Sequence, residues 1–204
     1  MSGTTPEAPR RRKVLALLAG GTVLGLGTVA TLAAWTDSEF ATGTFTAGTF
    51  DLEGAAGESG STPAFTQNET APGAPLVFSV DATNLSPGDT TSAPFAVRLA
   101  TGTTFDASVL VSSEATTGAL TGLTYTLTQT ASFDCASAVG ATLVPAGTTL
   151  GTVPADTTFD LAQGAASSPG APAYLCFTVA AGDDLVSAQT GTATWELLAT
   201  STAP

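Results

Sequence analysis

The chain of 204 residues contains no histidine. That absence removes a His-Glu-x-x-His zinc site and every nucleophile that relies on an imidazole base, Ser-His-Asp and Cys-His alike. Isoleucine is also absent, and Lys occurs once. Basic residues are scarce and clustered. Arg10, Arg11, Arg12 and Lys13 open the chain, and Arg98 is the only other one. Past residue 33 there remain 16 acidic side chains and Arg98, a formal charge of −15. Such a surface repels phosphate backbones and anionic lipid head groups, which excludes nucleic acid as a partner. The acids are spread out with no calcium-loop spacing. Asp183-Asp184 is the only adjacent pair, and after Ala181-Gly182 it reads as a solvated turn. No cofactor, metal or catalytic site is expected, so the chain reads as a non-enzyme.

What is present begins with an export signal. The basic cluster at residues 10–13 precedes an uncharged run from Val14 to Ala34, rich in Ala, Leu, Val and Gly. A basic start, an apolar centre and small residues at the end mark a secretory signal peptide over residues 1–33. Thr31-Leu32-Ala33 places small residues at −3 and −1, which fits cleavage between Ala33 and Ala34. The run is also long enough to span a bilayer, so an uncleaved anchor is the alternative. No sortase-type motif or C-terminal apolar tail supports another anchor. The expected location is secreted, at the cell surface or in an extracellular matrix, with membrane contact only through the signal segment.

Two cysteines, Cys135 and Cys176, lie in the exported part. In an oxidising compartment a single disulfide is the default reading.

Apolar residues alternate with polar or small ones at Leu76–Phe78–Val80, Phe95–Val97–Leu99, Leu123–Tyr125–Leu127, Leu175–Phe177–Val179 and Ala193–Trp195–Leu197. A period of two predicts half-buried strands. Phe105–Val111 is a further candidate, with weaker ones near Leu143, Leu150 and Phe159. Turn formers such as Ser86-Pro87-Gly88-Asp89 and Ser168-Pro169-Gly170 separate them. The pattern predicts an all-β sandwich with its core in residues 76–198. Residues 53–75 read as a flexible loop and 199–204 as a frayed tail. Trp195 is expected in the core. Arg98 falls on the polar face of its strand, and serves nearby acids or an intersubunit contact. Asn68-Glu69-Thr70 matches a glycosylation triplet, a short and weak pattern.

The segment 34–52 stands apart. Phe40, Phe45 and Phe50 recur every five residues, with Gly43 and Gly48 between them. A straight strand would turn Phe45 away from the other two rings. The segment is either the first strand of its own sandwich or an assembly strand completed by another molecule. Asp37 and Glu39 lie near its start, as solubilising charges, as a mark for a signal peptidase or as a polar lead to a donated strand. Trp35 is either a bilayer-interface residue before cleavage or an apolar anchor after it.

Two stretches resemble the TasA/camelysin family of exported bacterial surface proteins. One is Gly27-Thr-Val-Ala-Thr-Leu-Ala-Ala-Trp-Thr-Asp37 followed by Phe45-Thr-Ala-Gly-Thr-Phe-Asp-Leu52, similar to the family's signal-to-strand junction. The other, Asn84-Leu-Ser-Pro-Gly-Asp89, is similar to a family turn ahead of a core strand. The chain departs from better-known members in its cysteine pair, its scarcity of Lys and its length. The resemblance implies a jelly roll, a SipW-like signal peptidase as partner during export, and self-assembly into biofilm-matrix fibres. In such fibres an N-terminal strand of one subunit completes the next. A monomeric extracellular binding or adhesion module is the alternative. Some members have been classed as metallopeptidases, which this sequence, lacking histidine, does not support.

Overall fold

A computed structural model describes residues 13–15, 17, 38–44 and 46–202. Ala33, Ala34, Trp35, Asp37 and Phe45 lie outside the described residues. The chain divides into two units, Met1–Phe45 and Thr46–Pro204. In the first, residues 13–15 and 17 are helical, and 38–44 have no regular structure. Among the described residues no helix is long and apolar enough to cross a membrane.

The second unit is an all-β sandwich. Its strands are β1 Leu52–Ala56, β2 Thr90–Leu99, β3 Ala107–Gly118, β4 Leu123–Thr130, β5 Val139–Thr149, β6 Thr158–Leu161, β7 Ala173–Ala181 and β8 Gly191–Ser201. One sheet runs β1-β2-β7-β4-β5 and the other β6-β3-β8, with every pairing antiparallel. Alternation explains the core. Val97 and Leu99 of β2, Val109 and Val111 of β3, and Leu175 and Phe177 of β7 are all at most 2% exposed. They meet Tyr125, Leu127 and Val144 in one apolar cluster.

The pairings nest. β4 pairs with β5, β3 with β6, and β2 with β7, as when one long antiparallel ribbon is rolled into a jelly roll. The next pair in the series would be β1 with β8. It does not form, because β1 lies on the far side of β2, with Leu52 opposite Leu99 and Ala56 opposite Phe95. The β1 ladder stops one residue short of Pro94, which has no N–H to give.

The outer face of the five-stranded sheet carries a second cluster of Ala55, Ala96 and Phe133, against which Phe65 and Tyr174 pack. The Cys135–Cys176 disulfide, with Cα atoms 5.3 Å apart, ties the β4–β5 connection to β7 beside this cluster. Closing a loop of about 42 residues stabilises the fold by about 4 kcal/mol in the chain-entropy picture.

Several boundaries move. The expected loop 53–75 begins inside β1, whose Leu-Glu-Gly-Ala-Ala sequence has no strong alternation of its own and is held by the β2 ladder. The Leu76–Val80 alternation does not form a strand. Ser79 N–H bonds Ser92 C=O, while the Thr91 hydroxyl serves both the N–H and the C=O of Val80, at 3.1 Å each. A side chain takes the place of a ladder there. β8 runs on to Ser201, into the expected tail, because Ala107 of β3 still pairs with it.

Candidate strand-acceptor cleft

The sandwich has four edge strands, and three are guarded. β6 is four residues long. β1 is covered by Thr66, which exchanges two 2.9 Å backbone bonds with Gly54. β5 contains Pro145, and its register against β4 shifts three times. Prolines and bulges of this kind discourage a foreign strand. β8 has eleven residues without Pro or Lys, and among the described residues it pairs only with β3. Its one charge, Glu196, accepts a 3.3 Å bond from the Ser112 hydroxyl.

The missing neighbour shows in the packing. The inward residues of β3, Ala107, Val109 and Val111, are buried, whereas Ala193, Trp195, Leu197 and Ala199 of β8 are only half-buried. Between β8 and the β1–β2 side lies a mainly apolar cleft of about 800 Å³. Phe95 and Phe177 line it from the first sheet, Trp195 and Leu197 from β8, and Phe50 and Leu52 from the start of β1. Trp195 stacks at its wall, with ring centroids 4.8 Å from Phe177 and 5.4 Å from Tyr125. Tyr125 donates its hydroxyl to Thr152 C=O at 2.7 Å. Burial raises the phenol's pKa, and the Trp195 indole opposes part of that shift while lying outside hydrogen-bond geometry. The phenol therefore stays a neutral donor, and the wall carries no charge from it.

The three phenylalanines do not behave alike. Phe40 is 94% exposed. Phe45 lies outside the described residues. Phe50 lines the cleft of its own chain, because the backbone around it is clasped. Thr104 N–H bonds Thr49 C=O at 3.0 Å, and Ala100 N–H bonds Asp51 C=O at 3.0 Å. Gly48 permits this approach, since a Cβ there would fall 2.3 Å from Thr104 Oγ1. Phe50 thus lines the cleft of its own chain while 38% exposed.

Other sequence candidates resolve locally. Arg98 stands opposite Glu53 in the β1–β2 register, pairs with its carboxylate at 2.9 Å, and lies 4.0 Å over the Phe65 ring. These contacts account for its position within the chain. Asp183 and Asp184 occupy an exposed turn. Asn68 gives its amide to Thr66 C=O at 3.1 Å. Among the described residues no group of three or more His, Cys, Asp or Glu could hold a metal ion. The open β8 edge carried no sequence signal beyond its lack of Lys, because it depends on where the distant β1 pairs.

The chain matches no family model, no curated protein and no solved structure.

Proposed function

We propose that this chain is an exported structural subunit that joins copies of itself by strand donation, as a surface or biofilm-matrix fibre component. The observation that carries the reading is the eleven-residue β8 edge, open above an apolar cleft where the nested pairings leave a place unfilled. The occupant is residues 38–47 of a second copy. That stretch is about as long as β8. Apart from Glu39 at its start it carries no charge, so it largely avoids the repulsion that a strongly acidic surface imposes on acidic segments. Main-chain bonds to β8 would supply affinity, and the Phe40 or Phe45 ring would enter the cleft. A donor on one copy meeting an acceptor on the next is a heterologous contact, which propagates as a filament.

The resemblance to the TasA/camelysin family and the signal segment agree with this role, with a SipW-like peptidase cutting between Ala33 and Ala34. The same cleft favours one second reading, a monomeric binding module for an apolar ligand. Electron microscopy and size-exclusion chromatography of the chain beginning at Ala34 separate the two. Fibres are expected from it, and monomers from a chain beginning at Gly48, which keeps the Thr49 clasp. Normal fibres from the shorter chain would sink strand donation. No fibres from the longer one under any condition would leave the binding module.

A further inference from the structure

We infer that residues 74–78 are an internal placeholder in the cleft, one that an incoming strand must displace, so that assembly is self-restrained. The inference rests on the strand-donation reading and adds regulation to it. Ala74, Leu76 and Phe78 are half-buried, while the intervening Pro75 and Val77 are exposed. Leu76 and Phe78 pack against the main core, and all three line the same cleft as Trp195 and Leu197.

This is the burial pattern of a strand without the bonds of one. Among the described residues, the only backbone hydrogen bond made by residues 69–78 is the local one from Gly73 N–H to Thr70 C=O, at 2.9 Å. Among the described residues the segment is tied down by backbone bonds only at its ends, through Thr66 on one side and Ser79 and Val80 on the other. Its two large side chains are thus held by apolar contact alone. A donated strand would offer β8 both apolar side chains and a row of main-chain bonds. The placeholder lowers the fraction of chains ready to accept a strand, and apparent affinity falls by that fraction.

The test uses the chain beginning at Ala34, kept dilute, with a labelled peptide of residues 34–47 as probe. Hydroxyl-radical labelling of Leu76 and Phe78 should rise when the peptide binds. A Leu76→Ser/Phe78→Ser variant should bind the peptide at least about tenfold more tightly and seed fibres sooner. Binding with unchanged or lower labelling at Leu76 and Phe78 overturns the placeholder and leaves donation standing. So does a folded variant that binds no more tightly. If neither chain binds the peptide, placeholder and donation fall together. Should the variant fail to fold, the labelling of the unaltered chain decides.

Discussion

β5 and β8 are both eleven residues long and both lie at the rim of a sheet, yet their exposed sides differ in kind. β5 carries Pro145 and an irregular register, and the connection leading into it is covalently tied through Cys135. β8 has no Pro and no disulfide in the connection leading into it, its register against β3 shifts only once, between Ser113 and Ala115, and its inward side chains border open space. The same sandwich therefore closes one side and leaves the other available. Edge chemistry, not fold class, separates a domain that stays alone from one that can add a strand.

The largest expected effect comes from making β8 resemble β5. Ala199→Lys sets an ammonium at the half-buried inner side of β8. In the monomer the long side chain reaches water through the cleft, so melting should shift by the equivalent of about 1 kcal/mol or less. A docked strand would bury that charge, so fibres seen by electron microscopy should disappear. Fibres of normal length from this variant would show that β8 is not the accepting edge.

The reverse experiment opens the β5 side. Cys135→Ser/Cys176→Ser should lose about 4 kcal/mol, read by denaturant unfolding. Freeing the connection into β5 should also replace ordered fibres with amorphous aggregate. Intact-mass measurement of the unaltered chain should show two hydrogens fewer than after reduction. Full alkylation without reductant would contradict the bond.

Smaller effects test what holds β1 away from β8. Arg98→Ala removes a partly exposed ion pair and a cation–π contact, together worth about 1–2 kcal/mol. It should lower the melting temperature without affecting peptide binding at the cleft. The smallest effect concerns the loop behind the disulfide. Asp134 accepts bonds from the Ala136 N–H at 2.9 Å and the Ser59 hydroxyl at 2.7 Å, which hold its pKa below the usual value. A carboxylate so lowered stabilises the fold above its unfolded pKa, and that contribution is lost as pH falls through the folded one. Melting curves should therefore show an acid-side loss below about pH 4 that Asp134→Asn reduces. An identical pH profile in the variant would remove the assigned role.

The strands easiest to read in the sequence were those with large apolar residues on one face, such as Phe95–Leu99, Leu175–Val179 and Ala193–Leu197. β1 was missed because Gly54, Ala55 and Ala56 have little side chain to alternate, and their strand character comes from β2. Leu76–Val80 misled for the opposite reason: it has the alternation without a ladder. The disulfide was legible from two cysteines in a segment read as exported. The cleft was not, since it follows from one pairing, β1 with β2 instead of β8, between residues tens of positions apart. Phe50 shows the same limit. Its spacing matched Phe40 and Phe45, but gave no sign of the clasp at Thr49 that sets it beside the cleft of its own chain.

That clasp has a mechanical consequence. In a fibre built by donation, tension would enter each subunit along the segment preceding Gly48 and reach Thr49 first. From there it passes to Thr104 and into the five-residue β1–β2 ladder. Pulled along its own axis, β1 would load those rungs together, in shear, where a peel from one end would break them one by one. The Glu53–Arg98 pair spans the same two strands and would share the load. Single-molecule pulling should give a lower rupture force for Arg98→Ala than for the unaltered chain, and equal forces would place the load elsewhere.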